Sequence, residues 1–183
     1  LFTRWRSGYN TGAADLFVVT LADLALRTLV SDGSANVNLP GSASTWNGTT
    51  HEIVFTSSRD PHDEAYVIGE NGARGSATQV TSRPNHVVFE ASLCPDAQSI
   101  VFESHQVDVE DNGVIFRYKR DGSEGYVPLT PAGMDCRQPV WSPTRDKIVC
   151  QCKVGGQFAV FVMKTDGTTL TQVTGGAGEM TDP

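Results

Sequence analysis

Two short stretches hold most of the side chains that could do chemistry. One carries Arg59, Asp60, His62, Asp63 and Glu64; the other carries His105, Asp108, Glu110, Asp111 and Asn112. Carboxylates beside imidazoles can ligate a divalent metal, the oxygens suiting calcium or magnesium and the imidazoles admitting zinc or manganese. On solvated loops the same groups supply charge for a partner, and this second reading is favoured: no resident cofactor or metal is expected. The histidines, His51, His62, His86 and His105, include no pair at helical metal spacing. G-x-S-x-G and H-E-x-x-H are absent from the sequence. No nucleophile, base and oxyanion donor stand at recognisable spacing, so no catalytic residue is expected.

The cysteines are Cys94, Cys136, Cys150 and Cys152. On a strand, Cys150 and Cys152 share one face, a spacing that suits neither a mutual disulfide nor a zinc knuckle. Buried free thiols acting as small hydrophobes are the leading expectation. A disulfide to Cys94 or Cys136 as a loop partner is the alternative. Asn47-Gly48-Thr49 forms a glycosylation sequon, a triplet that also arises by chance.

The elements that must position these groups repeat. Asn71-Gly72, Asp121-Gly122 and Asp166-Gly167 each follow a β-rich run, with the glycines 50 and 45 residues apart. Such pairs signal hairpins with the positive φ of a type I′ turn. Each precedes a segment ending in an apolar residue and threonine: Val80-Thr81, Leu129-Thr130 and Val173-Thr174. Upstream lie Ile53-Val54-Phe55, Ile100-Val101-Phe102 and Ile148-Val149-Cys150, 47 and 48 residues apart. A turn rich in breakers and a further strand, at 43–46, 87–92 and 138–141, precede each of these runs. The unit is strand, turn, strand, longer loop, strand, turn, strand, the size of one propeller blade. The apolar stretch 16–30 fits the same frame as two strands, 16–21 and 26–30.

Trp141-Ser142-Pro143, Lys147-Ile148-Val149, Val160-Phe161-Val162-Met163-Lys164-Thr165-Asp166-Gly167, Leu170 and Val173-Thr174 resemble the repeat of the TolB-type (WD-like) β-propeller family. The second unit matches through residues 53–60 and Tyr66-Val67-Ile68. The third matches through Pro95-Asp96, Ile100-Val101-Phe102 and Asp121-Gly122. The first keeps only Phe2-Thr3, residues 16–19 and Leu29. Thr144-Arg145 and Cys150 depart from the pattern, replacing Asp-Gly and Phe. The resemblance implies an all-β propeller of about four blades, each of four antiparallel strands, over a single region 1–183. The blades fall at about 1–35 (partial), 36–84, 85–132 and 133–183. In this frame the first blade is incomplete, so the expectation is part of a larger ring, with self-association through open blade edges as another outcome. The resemblance further implies a periplasmic or secreted scaffold that hands contacts to a protein or peptide. The alternative is the propeller of an enzyme, either a serine-peptidase gating domain or a metal-dependent sugar lyase.

In a propeller, loops between second and third strands share one face. Arg59, Asp60, His62, Asp63 and Glu64 are therefore expected beside His105, Asp108, Glu110 and Asp111 as the partner-binding set. Arg59-Asp60 is also read as a structural bond, and Trp46 and Trp141 as packing between blades. The formal charge of −7 and scattered basic residues argue against nucleic acid. No apolar run is long enough to span a membrane.

Overall fold

The computed structural model describes residues 1–37, 46–47, 49–72, 76–109, 112–175, 178 and 180, apart from the Trp46 side chain. The described residues form four antiparallel sheets and no helix. Blade 1 is β1 (Phe2–Trp5), β2 (Ala14–Val19) and β3 (Leu26–Val30). Blade 2 has β4 (Asn36–Val37), β5 (Trp46–Asn47), β6 (Glu52–Ser57), β7 (Glu64–Gly69) and β8 (Thr78–Gln79). Blade 3 is β9 (His86–Leu93), β10 (Ser99–Gln106), β11 (Val114–Lys119) and β12 (Tyr126–Pro128). Blade 4 is β13 (Cys136–Trp141), β14 (Lys147–Val154), β15 (Gln157–Lys164) and β16 (Thr171–Gln172). Sequence pattern missed β4. It pairs with Ser57 and Thr56 on the same edge of β6 where β5 meets Ile53 and Glu52. Of the strand expected at 43–46, only Trp46 lies among the described residues.

Both faces of the inner sheets are buried, because blades stack face to face. Leu16, Leu29 and Val30 of blade 1 pack on Ile53, Phe55, Tyr66 and Ile68. Val54, Ala65 and Val67 pack on Ile100 and Phe102. Val101 and Ile115 pack on Ile148, Cys150, Phe161 and Met163. Each blade thus has a trailing face of branched aliphatics and a leading face built on a cross-strand pair. Those pairs are Phe2–Phe17, Phe55–Tyr66, Phe102–Phe116 and Cys150–Phe161. A cation lies over most of them: Arg4 over Phe17, Arg59 over Tyr66 and Arg83 over Phe116.

Backbone bonds staple each blade to the next. Ala14 N donates to Ser34 O, Val88 N to Asp63 O and Cys136 N to Gly113 O, joining the start of a third strand to the entry of the next inner strand. Asn47 is buried and donates its amide to the carbonyls of Cys94 and Pro95, while its Oδ1 accepts from Thr49 N and Thr50 N. The sequon asparagine is therefore an inter-blade clamp with no free amide hydrogen for a glycan.

The recurring threonines have one job. Thr81, Thr130 and Thr174 accept the N–H of Ala65, Ile115 and Val160 at 2.8, 3.0 and 2.9 Å. One residue earlier, Val80, Leu129 and Val173 donate backbone N–H to the carbonyls of those same residues. The hydroxyl ends the ladder where the outer strand leaves it. The Asp-Gly turns are not type I′. Only Gly122 and Gly167 take positive φ, 76° and 82°. Asp121 and Asp166 stay right-handed because their carboxylates accept the N–H and hydroxyl of Ser123 and Thr168 two residues on.

The disulfide alternative holds for one pair. Cys136 and Cys152 are bonded across β13 and β14, whereas Cys94 and Cys150 are buried thiols. Register decides it: Cys152 stands directly opposite Cys136, while Cys150 faces Phe161. Burial pushes the Cys150 thiol up to about 12 and the Cys94 thiol to about 11.

Replacing Thr130 with Val should leave the fully buried Ile115 N–H unpaired and cost about 1–3 kcal/mol, whereas Thr130→Ser should retain most of the stability. Urea melts of both variants check this; equal losses would deny the hydroxyl its role.

Candidate binding face

The loops joining second to third strands, described at 6–13, 58–63, 107–109 with 112–113, and 155–156, emerge on one side of the array. Loop 6–13 is the best braced. Asp15 is buried beneath it and receives Arg6 Nη2 at 2.6 Å and Arg4 Nη2 at 2.9 Å. Hydrogen bonds from Arg6 hold the Asp15 carboxyl down at about 2 against the opposing effect of burial. Arg6 N closes the loop on Ala13 O at 3.0 Å. At its tip Tyr9 is 80 % exposed, edge-on to Trp5 with ring centroids 6.5 Å apart. An exposed Tyr with a Trp and arginines has hot-spot composition. Sequence reasoning overlooked this loop, although Trp5 and Tyr9 among Ser7, Gly8 and Gly12 were the available signal.

The expected site residues divide by burial. Arg59 turns inward, stacked on Tyr66, and reaches Asn36 at 2.8 Å and Asp32 at 3.3 Å. Asp60 accepts the Tyr66 hydroxyl. That bond, with burial as the larger cause, raises the tyrosine well above its usual range. Glu64 is buried and accepts from the Thr81 hydroxyl and from Arg83 N at 2.6 Å. These three brace the blade. His62, Asp63 and His105 are half-buried, and Asp108 is exposed. Burial and then Glu64 push the Asp63 carboxyl up. Asp63 O and Val107 N bond to Val88 N and Asn85 O, so both loops flank the entry to β9 with His86 between them. Glu110 and Asp111 lie outside the described residues. Among the described residues no three His, Cys, Asp or Glu side chains gather as a metal site.

Deeper between blades 3 and 4 lies a second polar group. Register shifts in β9–β10 and β13–β14 put Glu90 and Gln138 at positive φ, 50° and 52°, at equivalent places in their blades. Gln138 Nε2 donates to Glu90 Oε1 at 3.3 Å, while Glu90 Oε2 is buried without a hydrogen-bond partner and Glu90 repels the buried Glu103. Asp135 holds Arg137 Nε at 2.9 Å and Lys153 Nζ at 3.4 Å, and Arg137 approaches Glu103 at 3.9 Å. A Cβ on Gly113 would meet the Cys136 carbonyl at 2.6 Å and carboxylate oxygens of Asp135 and Glu103 at 3.2 Å, so the cluster needs glycine there. Three carboxyls against two cations balance only when one proton stays bound. Burial, then repulsion from Glu90, drives Glu103 well above the usual carboxyl range.

On the opposite side, blades 3 and 4 enclose a cleft of about 500 Å³ lined by Arg117, Lys119, Glu124, Asp96, Arg145 and Trp141, among others. Its charges are paired, Arg117 and Lys119 with Glu124 and Arg145 with Asp96. Trp141 is buried core, as expected; the Trp46 side chain lies outside the described residues.

This four-blade arrangement matches solved propellers. TolB from Acinetobacter baumannii superposes with a TM-score of 0.73 at 17 % identity, covering 96 % of this chain and 41 % of that one. The fold is a TolB-like β-propeller. The chain therefore spans about two-fifths of that TolB. A nidogen/laminin complex is similar at TM-score 0.65, 14 % identity and 88 % of this chain over 58 % of that one. A prolyl endopeptidase structure is similar at 0.62, 8 % identity and 88 % over 23 %. No protein-family model matches the sequence, and no curated protein does. No helix among the described residues is long and apolar enough to cross a membrane.

The raised Glu103 carboxyl sets a direction for pH. The folded chain keeps a proton that the unfolded chain releases above its lower carboxyl pKa, so this contribution is complete at acid pH and fades as pH rises. Glu103→Gln removes the titration and the repulsion from Glu90 while keeping the side-chain volume. At pH 8 the variant should melt about 2–4 °C higher, about 1 kcal/mol for a chain of this size, with a flatter profile between pH 5 and 8. Thermal melts across that range check it; a parallel profile with a lower midpoint would show an ionised, paired Glu103.

Proposed function

We propose that this chain is a non-enzymatic scaffold that binds a protein or peptide through the face of loops carrying Tyr9. The observation that carries the reading is Tyr9 itself, exposed beside Trp5 on a loop braced by a buried carboxylate. A rigid body presenting several short loops suits recognition. His62, Asp63, His105 and Asp108 form the polar surround, while Arg59, Asp60 and Glu64 hold their loop from beneath. A propeller of similar fold in a nidogen/laminin complex supports a macromolecular partner. The acidic balance favours a basic or polar one and binding that weakens with salt. The second reading, the propeller portion of a peptidase, draws on the prolyl endopeptidase likeness.

Tyr9→Ala should weaken partner binding about 5- to 30-fold and leave stability within about 0.5 kcal/mol. Asp108→Asn should reduce the salt dependence of binding. The test is calorimetry on a partner captured by the immobilised chain from the soluble proteins of its source and then purified. Binding indifferent to Tyr9 would refute the face assignment. Cleavage of peptides by the purified chain would replace the reading with the peptidase one.

The proposal places the chain in the periplasm or outside the cell. The Cys136–Cys152 disulfide supports this, since such bonds persist in oxidising compartments. Alkylation mapping of protein from its source should find Cys136 and Cys152 joined, with Cys94 and Cys150 reactive once the chain is unfolded. Free thiols at Cys136 and Cys152 would place the chain in a reducing compartment.

A further inference from the structure

We propose that the cleft between blades 3 and 4 is a binding site for a small oxyanionic ligand, one presenting a carboxylate or phosphate group. Register shows why a cleft opens there. Trp46, Leu93 and Trp141 pair with Ile53, Ile100 and Ile148, so Asn47, Cys94 and Ser142 stand at equivalent places. Glu52 pairs with Gly69, Ser99 with Lys119 and Lys147 with Lys164, which makes Glu52 equivalent to Ser99 and Arg120 to Thr165. Between blades 2 and 3 this corner is closed. Asn47 holds the carbonyls of Cys94 and Pro95, and Glu52 takes two bonds of 2.9 Å from Arg120. One junction on, the same three places hold Cys94, Ser99 and Thr165, and all three line the cleft of about 500 Å³. Smaller side chains replace the clamp, and space stands where it was.

That space is electropositive. Arg117 occupies the place that Val67 holds in blade 2, on the face turned toward the next blade. Arg117 and Lys119 share one carboxylate, Glu124, at 2.8 and 2.5 Å, while Arg145 pairs with Asp96 at 3.3 Å. Three cations therefore face two carboxylates, in a chain whose formal charge is −7. Hydrogen-bond donors are left over as well. Arg117 directs Nη1 to Thr165 O and Nη2 to Glu124, yet its Nε is buried without an acceptor. Trp141, 5 % exposed, lines the cleft from blade 4, and its Nε1 is likewise buried and unpaired. Two unmatched donors, one from each blade, beside an excess cation require an acceptor that carries negative charge. Glu124 shows which group fits, since its carboxylate bridges Arg117 and Lys119. With its side chain 34 % exposed, Glu124 can turn outward. The ligand's oxyanion then takes its place on both cations, and Arg117 Nε and Trp141 Nε1 donate to the same ligand. A cleft of this volume holds a small organic anion.

Calorimetric titration of the chain with inorganic phosphate and with citrate, at low ionic strength, tests this. At least one should bind, the tighter naming the ligand's anionic group, and chloride at equal ionic strength should not displace it. Arg117→Val, which installs the residue blade 2 carries there, should weaken binding at least about tenfold. Lys119→Gln, at a more exposed place, stands in if that variant melts early. Trp141→Phe removes the unpaired N–H and keeps an aromatic ring, so binding should fall about tenfold. Glu124→Gln removes the resident carboxylate and should tighten binding about three- to tenfold. Ser99→Glu combined with Thr165→Arg rebuilds the clamp of the neighbouring junction and should abolish binding. Failure of both anions to bind overturns the proposal, as does binding unchanged by Arg117→Val or by Trp141→Phe. Weaker binding in Glu124→Gln, or displacement by chloride, overturns it too: the first would make Glu124 part of the site, the second would show bare charge attraction.

Discussion

A sheet buried on both faces offers no water to an unpaired backbone group, and this constraint organises the molecule. Strand interiors must be apolar on both sides, which is why Ile53-Val54-Phe55 and Ile100-Val101-Phe102 do not alternate. Polar closure is pushed to the strand ends. There the threonine hydroxyls, the inter-blade backbone staples and the Asn47 amide each pair a group that the ladder leaves over. Packing and polar closure are therefore coupled: the threonines satisfy strand ends within their own blade, and the backbone staples and Asn47 satisfy them from the neighbouring one.

The same constraint explains what the sequence disclosed. Valine-threonine and leucine-threonine recur because one backbone position in blades 2, 3 and 4 needs a hydroxyl, and Asp-Gly recurs because one turn in blades 3 and 4 takes a left-handed residue after a carboxylate. Both signals are local, so both are readable. What escaped depends on partners distant in sequence. Asn36 and Val37 carry too little β pattern to announce a strand; they are recruited by the free edge of β6. Cys136 and Cys152 meet because two strands align them, which spacing cannot reveal. The turn type was misjudged because the Asp side chain competes with the backbone for the next N–H.

The sequence names charged loops as the candidate face, and the structure divides their side chains by burial. Topology assigns the loops to one side, but charge alone does not separate a displayed side chain from a brace. Arg59, Asp60 and Glu64 look like binding groups in sequence, yet each has a nearby aromatic, hydroxyl or amide to satisfy. Tyr9 carries no charge to draw attention and is the most exposed aromatic on that side. The difference follows from loop length. Loop 6–13 is long enough to lift an aromatic clear of the sheet, while the residues after Ser57 turn straight back toward Tyr66.

Glu90 and Glu103 show the constraint at its limit. A register shift turns Glu90 toward the next blade, where Gln138, at the equivalent position, meets it. Had both carboxyls been ionised, the junction between blades 3 and 4 would hold unbalanced buried charge, which costs far more than an exposed pair returns. Keeping one proton removes that excess charge from the junction. The arrangement fixes blade 4 against blade 3 directionally, which aliphatic contacts between Val101 and Ile148 alone would not do. Where the other junctions rely on aromatic shape, this one, having exchanged phenylalanine for Cys150 in its cross-strand pair, takes its registration from hydrogen bonds.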